Sequence, residues 1–227
     1  MPPPDHVLDL FAVPGDVEPL AGGQGGSVRA GDLVLSPGRD AAVQGLLSPV
    51  LARLAVDLDT RAGRERRDLR IAMPIPARDG SWVVDGWGAS RFEPGAQLLV
   101  DLEATRAVAA VLHAELAPRV STWPPAHEPA QERWSTAERI AFEEADVEVD
   151  AAGPDAAPLL GWMLAEREPG ADLGDAQLVD GDLAGNVLLD ADGAPVVIDI
   201  APYWRPPLWA EAVCVLDSVM WWGAEPD

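Results

Sequence analysis

Three side chains in the last third of the chain have the types and spacing for chemistry: Asp182, Asn186 and Asp199. Asp182 follows the short apolar run Gln177-Leu178-Val179 and the dipeptide Asp180-Gly181. Asn186 stands four residues later, and Asp199 closes the run Pro195-Val196-Val197-Ile198-Asp199. The turn Asp190-Ala191-Asp192-Gly193 lies between them, so Val187 to Leu189 and Pro195 to Ile198 read as the arms of a hairpin. Folding that hairpin back brings Asp199 near Asn186, and oxygen ligands then converge at one end of a small sheet. Such ligands suit Mg2+, which keeps some waters and borrows others from substrate phosphates. An Asp that is not a ligand can accept a proton from an attacking hydroxyl. Spacing alone leaves a second reading open, because Asp, Asn and Gly are also ordinary turn residues between strands. That is the reading for Asp190, Asp192 and Gly193. An EF-hand calcium loop is excluded, since Ala184 and Ala191 stand at its fifth and twelfth positions.

The elements that must carry these residues are also legible. Val28 and Leu33-Val34-Leu35 flank the turn Ala30-Gly31-Asp32 and predict a hairpin. Leu46, Leu47, Val50, Leu51 and Leu54 recur at helical spacing, so a helix is expected from about Ala41 to Asp57, kinked or restarted at Pro49. The charged run Arg61 to Arg70 reads as a solvated segment. Leu69 to Pro74 and Trp82 to Trp87 read as strands joined by a turn at Arg78-Asp79-Gly80, with Gly88 to Gly95 as a connector. Leu102, Val108, Ala109, Leu112 and Leu116 mark a helix over 101–116. Ser135 and Glu138 form a capping-box pattern for a helix to about Glu144. Glu143 to Asp155 reads as a loop and Pro158 to Glu166 as helix. A proline-rich kink, Pro202 to Pro207, then precedes a helix from Leu208 to Trp222.

Composition narrows the function. Among 227 residues, Lys+Arg is 16 and Asp+Glu 38, a net charge of −22, and every basic residue is arginine. Such a chain is not expected to bind nucleic acid or an anionic membrane by phosphate neutralisation. Without lysine there is no Schiff-base chemistry and no Walker-type phosphate loop. The one cysteine, Cys214, excludes an intrachain disulfide and fits a reducing cytoplasm as a buried small hydrophobe. The start, Met1-Pro-Pro-Pro-Asp5, lacks the basic and apolar regions of a signal peptide. The apolar run Leu208 to Trp222 contains Glu211 and Asp217 and is too short to span a bilayer. A cytoplasmic protein is expected. His113 lies on the apolar helix and reads as a packing residue. Trp204, Trp209, Trp221 and Trp222 read as core or interface residues, or as a pocket wall for a ring or sugar.

The run Gln177-Leu-Val-Asp-Gly-Asp-Leu-Ala-Gly-Asn-Val-Leu-Leu189, followed by Pro195-Val-Val-Ile-Asp199, resembles the H-G-D-x-x-x-x-N-x-L and I-D-[FW] signature of aminoglycoside phosphotransferases. These are protein-kinase-like enzymes that phosphorylate small molecules. Gly22-Gly-Gln-Gly-Gly-Ser27, Gly31-Asp-Leu-Val-Leu-Ser-Pro37, Trp82-Val-Val-Asp-Gly-Trp87 and Ile198-Asp-Ile-Ala-Pro-Tyr-Trp-Arg-Pro206 are similar, in order, to segments of the family's actinobacterial members. The resemblance implies an α+β, protein-kinase-like bilobal fold. Residues 1–90 would form a small β-rich lobe and 91–227 a mostly helical lobe with a catalytic-loop hairpin. It implies Asp182 as the catalytic base and Asn186 and Asp199 as Mg2+ ligands. Gly23, Gln24, Gly25, Gly26, Ser27 and Ser36 would cover the ATP phosphates, and the backbone around Ala89 to Phe92, Arg91 included, would bind adenine. The partner it implies is a small hydroxyl-bearing substrate, cationic if the acidic surface steers it.

This chain departs from the pattern in specific places. Ser36 stands at the family's phosphate-binding lysine, no Glu occurs from Ala21 to Gly63 to pair with one, and Asp180 replaces the signature histidine. Two carboxylates flanking Gly181 are expected to raise each other's pKa. Arg29 and Arg39 flank the Ser36 strand, and one of them is expected to reach the phosphates in place of lysine. The chain stops soon after Trp222, where the family carries further helices, so a homodimer or a partner chain is expected to complete the second lobe. Two functions fit: an ATP- and Mg2+-dependent phosphotransferase, or a pseudokinase that binds nucleotide or ligand with impaired turnover.

Overall fold

A computed structural model describes residues 2–20, 26–122, 133–168 and 170–225. The chain divides into two compact units, Met1–Trp123 with Gly174–Asp227, and Pro124–Leu173.

In the first unit the expected hairpin forms between β2 (Val28–Ala30) and β3 (Leu33–Ser36), with Gly31 in the left-handed region its turn requires (φ +59°). These strands join β1 (Glu18–Pro19), β5 (Val83–Val84) and β6 (Trp87–Arg91) in a sheet of order β1-β2-β3-β6-β5. The segment Trp82 to Trp87 is not one strand. Asp85 (φ +47°) and Gly86 (φ +78°) both take left-handed conformations and form a tight hairpin turn. The expected connector from Gly88 is therefore strand as far as Arg91, with Ser36 opposite Gly88 and Leu33 opposite Arg91. The helix α1 (Asp5–Phe11), which no sequence pattern announced, buries Val7, Leu8 and Phe11 against this sheet's Val28, Ala30, Leu35, Val84 and Trp87.

The helix α2 (Ala41–Thr60) starts where Asp40 Oδ1 accepts hydrogen bonds from the N–H groups of Ala42 (2.8 Å) and Val43 (2.9 Å). It runs through Pro49 without ending. Leu47, Leu51, Leu54 and Leu58 are all buried along it, and each buried leucine contributes roughly 1.5–3 kcal/mol against the roughly 3 kcal/mol cost of an internal proline. By length and composition alone this helix could cross a membrane; in the fold its leucines form the main core with Val108, Leu112 and Leu116 of α3 (Leu102–Leu116). Asp101 caps α3 through the Ala104 N–H at 2.8 Å.

A second sheet, in the order β4-β10-β9-β7, places β10 (Pro195–Val197) parallel to β4 (Arg70–Ile71) and antiparallel to β9 (Val187–Leu189). β7 (Gln97–Leu98) closes its edge. The expected proline-rich kink is instead a strand, β11 (Pro202–Arg205), paired antiparallel with β8 (Gln177–Asp180). Pro202 sits at its first position, where a missing N–H is tolerated. The last helix, α6 (Pro207–Trp222), matches its expected span within a residue.

The second unit holds α4 (Arg133–Ala141), a 3-10 turn (Val149–Ala152) and α5 (Gly153–Glu166). Ser135 lies inside α4 rather than at its cap. The helix α5 starts five residues before the expected Pro158, because Pro154 occupies its first turn, where proline is pre-organised.

Candidate active site

The loop between β8 and β9 carries Asp182 and Asn186, and the residue pair after β10 carries Ile198 and Asp199. The Ile198 N–H donates to the Asn186 carbonyl at 3.0 Å, so the hairpin brings Asp199 back to the loop as its spacing required. The Asn186 Nδ2 donates to the Asp182 carbonyl at 2.7 Å. The Asn186 amide also draws the Asp182 pKa down, favouring its charged form. Asp182 is exposed at the loop surface, yet its pKa is pushed up to about 6. Partial loss of water leads, followed by the negative charges of Asp217 on α6 and Asp199. Asp217, which no sequence pattern singled out, thus acts electrostatically on Asp182.

Aromatic rings fix this loop on both sides. A Cβ at position 181 would lie 2.4 Å from Tyr203 Cδ2 and 3.2 Å from Trp209. At position 185 it would lie 2.3 Å from Trp222 Cζ2, where φ is +85°. Glycine is therefore required at both flanks of Asp182. Tyr203 and Trp209 pack with centroids 4.9 Å apart and planes tilted by 55°. Carboxylates beside π-faces are a combination that holds cations.

Asp180 lies below the loop. It is 1% exposed; its Oδ1 accepts from the N–H groups of Asp182 and Ala201, each at 3.0 Å. Its Oδ2 is buried and finds no hydrogen-bond partner among the described residues. Burial raises its pKa well above the usual carboxylate range and so favours the neutral acid. Asp182 adds to that shift, as expected for neighbouring carboxylates. The shift of Asp182 has other sources. The Asp180 N–H donates to His113 Nε2 at 3.1 Å. Burial pushes the His113 imidazole down to about 4, against the pull of Glu211. His113 is thus a neutral packing residue on α3. Cys214 is buried, and its thiol is pushed up to about 11 chiefly by that burial.

The nucleotide-side residues separate into groups. Gly23, Gln24 and Gly25 lie outside the described residues. Gly26 adopts φ +111° with Pro37 packed beside it, and the Ser27 and Ser36 hydroxyls bond each other at 3.1 Å. Ser36, Ala89 and Asp199 line one cavity of about 60 Å3, which also takes in Gln44 and Ser48 of α2. The backbone of Ala89 to Phe92 does not present the open edge expected for adenine. The Ala89 carbonyl accepts from the Ile75 N–H (2.9 Å), the Arg91 N–H donates to Met73 O (3.0 Å), and the Phe92 N–H donates to Asp32 O (2.9 Å). Arg91 itself is exposed at the end of β6.

The arginines resolve as well. Arg29 is held by the first sheet: its Nε donates to Gly31 O at 3.0 Å and its guanidinium stacks on Phe92 at 4.3 Å. Arg39 enters the cavity. Its Nη1 and Nη2 donate to Asp199 Oδ1 and Oδ2, both at 2.8 Å. Burial works against the Arg39 charge, but these bonds and the attraction of Asp199 win and hold it protonated. At the Mg2+ site expected from Asn186 and Asp199, both Asp199 oxygens accept from the Arg39 guanidinium. The Asn186 Nδ2 donates to the Asp182 carbonyl, which leaves its Oδ1 as the oxygen that could serve as a ligand. Among the described residues, no group of three or more His, Cys, Asp or Glu is placed to hold a metal.

No family model matches the sequence, and no curated protein does. Solved structures do match. Choline kinase LicA from Streptococcus pneumoniae aligns with a TM-score of 0.56 at 15% identity, over 95% of this chain and 75% of that one. A choline/ethanolamine kinase family protein from Mesorhizobium loti aligns with a TM-score of 0.47 at 17% identity, over 98% and 76%. The chain has a protein-kinase-like α+β fold. The likeness to LicA establishes this fold.

Proposed function

We propose that the chain transfers a phosphoryl group from ATP to a hydroxyl of a small cationic molecule, with Asp182 as the proton acceptor. The observation that carries this is the placement of Asp182. It sits on a loop whose flanking glycines are pressed by Tyr203, Trp209 and Trp222, with the charges of Asp217 and Asp199 close enough to shift its pKa. A carboxylate near pKa 6 is ionised at neutral pH and still basic enough to take a proton from a hydroxyl. Aromatic faces and clustered negative charge suit an ammonium-bearing acceptor. The S. pneumoniae neighbour is named for choline, a cationic alcohol; aminoglycosides, which the signature suggests, are polycationic alcohols as well.

The test is ADP formation from ATP with a panel of amino alcohols and aminoglycosides. Acceptor-dependent ADP formation that falls about 10²-fold or more in Asp182→Asn supports the proposal, the loss being that of a general base. Turnover unchanged in Asp182→Asn contradicts it. A second reading, a nucleotide-binding pseudokinase, is favoured by the Arg39–Asp199 pair together with Ser36 in place of lysine. Nucleotide binding with no turnover on any acceptor supports that reading instead.

A further inference from the structure

The pair formed by Arg39 and Asp199 is built into the fold rather than laid on its surface. The Arg39 N–H donates to the Gly86 carbonyl at 2.9 Å, which anchors the residue at the β5–β6 turn. Its side chain then passes Gly88, where a Cβ would lie 3.2 Å from Arg39 Cγ. The strand is notched for this arginine. The guanidinium ends on Asp199 in a two-pronged pair, with side-chain exposures of 26% and 39%. Among the described residues Arg39 makes no other ion pair. The residues around it are neutral: Ser36 on β3, and Gln44 and Ser48 on α2, where the Ser48 hydroxyl donates to Gln44 Oε1 at 2.7 Å.

Two consequences follow from this geometry. A divalent cation bound by both Asp199 oxygens would have to take the place of the guanidinium, which would then lose its carboxylate partner. The pair as it stands is neutral, and it spends only two of the guanidinium's five N–H donors. The remaining donors, Nε–H and the outer Nη hydrogens, are the kind that grip phosphate oxygens. The chain has no lysine that could do this.

We infer that Arg39, held by Asp199, does the work of both a phosphate-binding lysine and a divalent cation, so that this chain binds ATP without needing Mg2+. The inference rests on reading the cleft as a nucleotide site, which both functional readings share. It is tested by isothermal titration of ATP into the full chain, in excess EDTA and in excess MgCl2, with circular dichroism to check each variant's fold. The expected result is a Kd in EDTA within about threefold of the Mg2+ value. Arg39→Ala should weaken binding about tenfold or more, the range of a lost charge-assisted contact. Arg39→Lys should recover it only in part, since an ammonium cannot serve Asp199 and a phosphate as a fork. Asp199→Asn, which keeps the arginine, should retain metal-free binding; this variant decides the matter if Arg39→Ala fails to fold. ATP binding that appears only with Mg2+, or that survives Arg39→Ala unchanged, overturns the inference while leaving the nucleotide reading intact. No ATP binding under either condition overturns the nucleotide reading, and the inference with it.

Discussion

The raised pKa of Asp182 couples its chemistry to its cost. Its folded value, about 6, lies above the ordinary aspartate value of 3.8. The sign of the linkage follows. Protonation is favoured by folding, so this group's stabilising contribution is full below about pH 4 and is lost as pH rises through about 6. Proton acceptance needs the opposite form, so activity should rise over the same interval. The rate of acceptor-dependent ADP formation should therefore climb with a midpoint near 6. In Asp217→Asn the midpoint should move to lower pH, because one of the charges that raises it is gone. A midpoint unmoved by that change would show that Asp217 does not act on the ionising group. The residues of this site were unevenly legible. Asp182, Asn186 and Asp199 stood in one contiguous motif, and local hairpin geometry joined them. The link from Arg39 to Asp199 spans 160 positions, and only the fold reveals which of two arginines makes it. Asp217 is hidden for a similar reason: it lies mid-helix, where an acidic residue ordinarily marks a solvated face.

Elements with strong local signals formed where expected. The β2–β3 and β9–β10 hairpins, α3 and α6 each have turn residues or apolar periodicity that decide their conformation without help. The missed elements depend on partners. β11 opens on Pro202 at the head of a proline-rich segment and becomes a strand because β8 lies beside it from Asp180 to Gln177. α1 has seven residues, too few to be stable alone, and exists because Val7, Leu8 and Phe11 find a sheet to cover. The loop carrying Asp182 depends on its glycines in the same way. Gly185→Ala introduces a side chain at φ +85° and 2.3 Å from the Trp222 ring. Both the backbone strain and the clash fall on one residue, so a loss of more than about 2 kcal/mol in unfolding free energy is expected. Urea denaturation reads it directly. A Gly185→Ala protein as stable as wild type would mean that Trp222 does not pack against the loop.

For the molecule as a whole, the net charge of −22 bears on both proposed substrates. It would oppose the approach of ATP, which a neutral Arg39–Asp199 pair would do little to offset at long range. It would draw in a cationic acceptor, and the effect would be screened by salt over about 10 Å at 0.1 M ionic strength. The protein-kinase-like fold was legible because segments from Gly22 to Pro206 resemble, in order, the motifs of one kinase-like family. The departures at Ser36 and Asp180 were legible too, but their meaning was not, since it depends on what each side chain meets in three dimensions. Transfer of a phosphoryl group to a cationic hydroxyl compound is tested most directly by comparing choline with its uncharged counterpart, 3,3-dimethylbutan-1-ol, as acceptors for ADP formation from ATP. A kcat/KM for the cation about tenfold higher or more at low salt, with the gap narrowing as salt is raised, is the expected result. Equal rates for the two alcohols, or ADP formation indifferent to either, would contradict it.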